Sequence, residues 1–133
     1  MKKLFIILLT CFLIMICVIP QNVNAALNYV NIDTLRTTLT YSNCTGYVQV
    51  FVSALDSSAE TSVSARLYVK ATSGKWIEVT PDWDTQTATG DSNNFLFSFD
   101  GTQGARYKVD VSVSVTIDGY TETDTDTVEG SCF

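Results

Sequence analysis

The residues that could do chemistry in this 133-residue chain are few. There is no histidine, so neither a Ser-His nor a Cys-His nucleophile pair can be assembled. Glu78, Asp82 and Asp84 lie near Trp76 and Trp83 in the sequence, and paired carboxylates are what glycoside cleavage requires. A chain this short leaves little room for a deep cleft, and acids beside turns are ordinary, so an enzyme is not the expected reading. A calcium site on Asp110, Asp124 and Asp126 would need Asp110 and Asp126 to oppose each other across two strands. No Asp/Gly calcium-loop pattern surrounds them, and no metal or other cofactor is assigned.

Cysteine chemistry is more informative. Of four cysteines, Cys11 and Cys17 fall within an N-terminal apolar run, while Cys44 and Cys132 belong to the body of the chain. Outside the cytoplasm an isolated pair reads first as a disulfide. Such a bridge would close a loop of nearly ninety residues, and in the chain-entropy model contributes about 4–5 kcal/mol. A zinc site without histidine would have only two thiolates and carboxylates, which disfavours it.

Four aromatic residues are candidates for binding. Tyr47 and Phe51 alternate with Val48, Val50 and Val52, so if the valines are core the two rings face outward as an interaction patch. Trp76 and Trp83 flank a short strand and a loop, and could stack on sugar rings through their apolar faces. The competing structural roles are cover by a neighbouring strand for the first pair and filling of a core edge for a tryptophan.

The elements that must position these groups begin after a leader. Lys2 and Lys3 precede an apolar run from Leu4 to Ile19, then Pro20 and the small-residue pattern Val23-Asn24-Ala25. This is the layout of a signal-peptide helix over 1–25 cleaved after Ala25. The run is short of the ~20 residues of a membrane span. Residues preceding Cys11 and Cys17 fit lipidation badly. The expected mature protein, 26–133, is one domain able to bury a single core. Without Lys2 and Lys3 the chain has 6 basic and 14 acidic residues, a net charge of −8. Nucleic acid and anionic membrane surfaces are therefore disfavoured as partners.

No window has a helical period. Strict alternation recurs instead, with turn residues every ten or so positions. Leu35, Thr37, Leu39 and Tyr41 alternate, as do Val63, Ala65, Leu67 and Val69, then Phe95, Phe97 and Phe99, and finally Tyr107 through Val115 to Ile117. The expectation is an all-β, antiparallel β-sandwich of about seven strands, near 29–41, 46–54, 61–70, 75–80, 94–99, 105–117 and 120–128. The polar stretch Pro81 to Asn94 reads as a loop with little strand content.

The segment "GTQGARYKV" places Gly104 three residues before Tyr107 and resembles the tyrosine corner of immunoglobulin-like sandwiches. That resemblance implies that Tyr107 opens the penultimate strand and bonds back to the preceding loop. Such a sandwich also puts the turn holding Cys44 at the same pole as Cys132, an independent check on their pairing. The antibody-type inter-sheet bridge with its tryptophan is missing: valines and Leu67 stand there. The order of a leader, a Cys-containing first turn, "GKWIEV", "GARYKVDVSVSV" and an acid–threonine strand resembles small secreted immunoglobulin-like proteins of Gram-positive bacteria. It implies a secreted bacterial origin and no assigned activity.

The final strand alternates Thr121, Glu122, Thr123, Asp124, Thr125, Asp126 and Thr127. A two-residue turn at Asp118-Gly119 would set Glu122, Asp124 and Asp126 on the valine side, at a cost of several kcal/mol each if unpaired. A three-residue bulged loop would pair Thr116 with Tyr120 and turn the threonines inward. The second register is expected, and it removes the flat outward threonine array that an ice-binding surface would need. The sequence thus points to a secreted or envelope-associated, extracellular, non-catalytic binding module for a protein or glycan. The alternatives are an assembly subunit pairing through its first or last strand, and then a small carbohydrate-active protein.

Overall fold

A computed structural model describes residues 30–79 and 81–133; the leader over 1–25 lies outside the described residues. The described chain is all-β, with eight strands: β1 (Ile32–Ser42), β2 (Thr45–Ala54), β3 (Glu60–Lys70), β4 (Trp76–Val79), β5 (Gln86–Thr89), β6 (Ser92–Asp100), β7 (Arg106–Ile117) and β8 (Tyr120–Ser131). They form two antiparallel sheets that face each other as in a β-sandwich. The smaller has the order β1-β2-β6, and the larger β4-β3-β7-β8, with β5 also pairing with β3.

Alternation decides which residues meet between the sheets, because successive side chains of a strand point to opposite faces. Val48, Val50 and Val52 of β2 are fully buried, opposite Phe97, Phe95 and Asn93 of β6. From the larger sheet come Val63 and Leu67 of β3 and Tyr107, Val109, Val111, Val113 and Val115 of β7. These β-branched and aromatic side chains suit a pleated, one-sided surface. Gly46 lies opposite Phe99, and a Cβ there would stand 2.3 Å from the ring. The glycine makes the space in which Phe99 packs on Tyr107, with ring centroids 4.9 Å apart.

One pole is cross-linked. Asn43 and Cys44 form the two-residue turn between β1 and β2, both with positive φ. Cys44 is bonded to Cys132, with 5.2 Å between their Cα atoms. Around the bridge, Gly101 N–H donates to the Cys44 carbonyl, and Gly104 N–H to that of Cys132. The Tyr107 hydroxyl accepts the Thr102 N–H at 2.8 Å. The first turn, the β6–β7 connection and the C-terminal segment are thus tied together.

Two expectations need correction. The stretch Pro81 to Asn94 is not mostly loop, since it contains β5 and the start of β6. Gln86 to Thr89 pair with Val63 to Glu60 along an edge of β3 that β4 leaves uncovered. Short polar segments carry too little apolar alternation to announce such a pairing, which the neighbouring backbone supplies.

The register of β8 is the reverse of the expected one. Asp118 and Gly119, at φ 51° and 80°, form a two-residue turn that pairs Ile117 with Tyr120. Val115, Val113 and Val111 consequently face Glu122, Asp124 and Asp126. Thr121, Thr123, Thr125 and Thr127 point outward. Asp-Gly is a favoured sequence for a two-residue turn with both φ values positive, and this local preference prevails. The assumed burial penalty does not arise, because β8 is an edge strand lying beside β1, the edge of the other sheet. Glu122 and Asp126 have backbone partners there, and Asp124 stays exposed.

Candidate binding faces

The interface between the two edges is built from β8 carboxylates and β1 amides. Glu122 Oε2 accepts N–H bonds from Asn31 and from Ile32, the latter at 2.9 Å. Asp126 Oδ2 accepts the Thr37 N–H at 3.0 Å. Asn31, which is buried, donates its Nδ2 to the carbonyls of Val115 and Tyr120, at 3.0 and 2.7 Å. Asp124 remains exposed. Asp110 is on the outer face, accepting the Thr127 hydroxyl at 2.9 Å. Asp110 and Asp126 therefore lie on opposite sides of the sheet, and the calcium arrangement considered above is not formed. Among the described residues no group of three potential ligands is assembled. Asn31, with no motif around it, is the residue that sequence reasoning missed; a lone Asn before a strand carries no recognisable signal.

Further along this flank, Tyr41 reaches Phe99 edge-on. Its buried hydroxyl has no hydrogen-bond partner, and burial, reinforced by Tyr107, pushes its pKa up to about 12.

The four candidate aromatics separate into three places. Tyr47 and Phe51 stand on the outer face of the smaller sheet, behind which Val48, Val50 and Val52 are sealed. Leu96 of β6 lies opposite Gln49, between their two rows. Tyr47 is 37% and Leu96 58% exposed. Arg36 and Thr38 of β1 pair with Phe51 and Gln49, and together with Asn94 these residues line an open hollow of ≈ 390 Å³. The face combines two aromatic rings, one aliphatic side chain and a guanidinium.

Trp83 is instead structural. Its ring packs on Phe97 and Phe99, at 5.4 and 6.1 Å, and its Nε1 donates to the Ser98 carbonyl at 2.8 Å. Gln86 Nε2 does the same to the Leu96 carbonyl. Together they close the β6 edge.

Trp76 lies on the outer face of the larger sheet, cross-strand from Lys70. Lys70 Nζ is 5.5 Å and Lys108 Nζ 5.7 Å from its ring centroid, and Lys108 is also 4.3 Å from that of Tyr68. Beyond this end the face becomes rows of hydroxyls. Ser114 bonds Thr123 at 3.0 Å, and Thr116 bonds Thr121 at 2.7 Å. With Thr121, Thr123, Thr125 and Thr127 outward, the threonine array that the expected register would have removed from the surface is present on this face. Of the carboxylates near the tryptophans, Glu78 is on this face opposite Tyr68, whereas Asp82 and Asp84 flank Trp83 in the loop.

No family model matches the chain, and neither does any curated protein sequence.

Proposed function

We propose that this protein is a secreted or cell-envelope-associated, immunoglobulin-like binding module without catalytic activity, and that the outer face of β1-β2-β6 is its contact surface. The observation that carries the reading is the patch of exposed Tyr47 and Leu96 with half-buried Phe51 beside Arg36, above valines that are already fully buried. These rings are not needed to close the core, and aromatic residues with arginine are the side chains enriched at the energetic centres of protein interfaces. The chemistry suits a protein surface offering aliphatic side chains and a carboxylate. Extracellular location is supported by the leader layout and by the Cys44–Cys132 bridge. The immunoglobulin-like assignment is supported by the strand order and by the bond between Tyr107 and the loop before its strand.

The assembly alternative required an open β1 or β8 edge. Side chains already engage two β1 amides and that of Asn31 just before the strand, which disfavours strand addition there. The test is capture of partners from envelope extract by the mature protein and by a Tyr47→Ser/Phe51→Ser variant. The variant is expected to lose the specific partners while melting normally. Identical capture by both proteins would sink the proposal.

A further inference from the structure

Charge is distributed unevenly over this acidic chain. The described residues include six basic side chains, and Arg66, Lys70, Arg106 and Lys108 all project from one region of the larger sheet's outer face, with Lys75 in the adjoining turn. Only Arg36 lies elsewhere. The acids sharing the region are Glu78, Asp110 and Glu129, so it is a cationic island on a protein of net charge −6. Two of its cations are matched internally, Arg106 by Glu129 at 2.7 Å and Lys108 by Asp110 at 3.2 Å. Arg66, Lys70 and Lys75 form no ion pair among the described residues.

Next to the island the face is concave and hydroxylated. An open depression of ≈ 610 Å³ is lined by Ser64, Arg66, Lys108, Asp110, Ser112 and Thr127, among others. Tyr68 stands beside Lys108 at its edge, with Trp76 beyond. This combination serves a particular ligand class. Guanidinium and ammonium groups bind carboxylates through charge-assisted hydrogen bonds. Serine and threonine hydroxyls both donate and accept, and Asp110 accepts, matching the hydroxyls of a sugar. The aromatic side chains offer apolar faces to sugar rings.

We propose that this depression is a second binding site, separate from the Tyr47/Phe51 face, and that it takes an anionic saccharide of the uronic-acid type. Arg66 and Lys108 hold the carboxylate, the hydroxyl rows hold the sugar hydroxyls, and Tyr68 borders the ring.

The test is affinity electrophoresis of the mature protein through gels containing polygalacturonate, neutral dextran or dextran sulfate. Polygalacturonate should retard the protein, more weakly as salt rises, and neutral dextran should not. Arg66→Ser, at an exposed residue outside any ion pair, should weaken retardation about 5-fold, and Arg66→Ser/Lys108→Ser at least 10-fold. Tyr68→Ser should weaken it for polygalacturonate but not for dextran sulfate. Tyr47→Ser/Phe51→Ser should leave it unchanged, which separates this site from the protein-binding face. The proposal is overturned by three outcomes: no retardation in polygalacturonate at low salt, undiminished retardation of folded Arg66→Ser, or equal retardation in dextran sulfate with Tyr68→Ser without effect.

Discussion

The smaller sheet has two edges, and the molecule closes them by opposite chemistry. Along β1, carboxylate acceptors from β8 meet backbone donors of Asn31, Ile32 and Thr37. Along β6, the indole of Trp83 and the amide of Gln86 donate to the carbonyls of Ser98 and Leu96. An edge strand presents unpaired donors and acceptors that invite pairing with other chains. Here both flanks are covered by side chains instead. They differ in how they hold: on the β6 flank one side chain, Trp83, both donates a hydrogen bond and packs on the core rings, whereas on the β1 flank the bonding carboxylates are separate from the side chains that pack, Leu35, Leu39 and Tyr41. The first should therefore contribute more stability per residue.

That difference can be tested by urea unfolding of single variants. Trp83→Ala, which removes both the ring contacts and the Ser98 bond, should destabilise by about 3 kcal/mol, the low end for a large aromatic because the residue is only half-buried. Trp83→Phe should recover most of this. A loss below about 1 kcal/mol for the alanine variant would mean that the flank is not closed by packing. Asn31→Ala should follow at about 2 kcal/mol, since two carbonyls lose a buried partner.

Glu122→Ala and Asp126→Ala should each cost about 1.5 kcal/mol, the low end for hydrogen bonds to a charged group. Asp124→Ala, on the same face but exposed, should stay within about 0.5 kcal/mol of the parent. Equal effects at 122, 124 and 126 would show general charge repulsion rather than specific amide contacts. Amide exchange at Thr37 should quicken in Asp126→Ala alone of the three.

A separate effect is expected at alkaline pH. The Tyr41 phenol ionises near 10 in the unfolded chain and at about 12 in the fold, so the folded state favours its neutral form. Its contribution to stability is complete below pH 10 and declines as pH rises from 10 towards 12. A Tyr41→Phe variant should show a shallower fall of the urea midpoint over that window. Parallel curves for the two proteins would exclude Tyr41 as the source.

Alternation located the strands well where it was long. The β2 valines, the β6 phenylalanines and the β7 run from Tyr107 to Val115 all face the core as their period of two requires. It located β5 poorly, because four polar residues acquire strand geometry only from the vacant edge of β3. The candidate aromatics were legible as residue types but not as a site. Tyr47 and Phe51 share a face through local alternation, whereas the separation of Trp76 from Trp83 depends on which sheet each segment joins.

The β7–β8 hairpin marks the boundary between the two kinds of information. Asp118-Gly119 already specified a two-residue turn, and with it the register, from local backbone preference alone. Whether the resulting inward acids were tolerable was not a local matter. That was decided by the edge strand of the opposite sheet, which brings unpaired amides to Glu122 and Asp126 from some ninety residues away in the chain. A carboxylate facing inward is destabilising or stabilising according to what stands opposite it, and only the tertiary structure places β1 there.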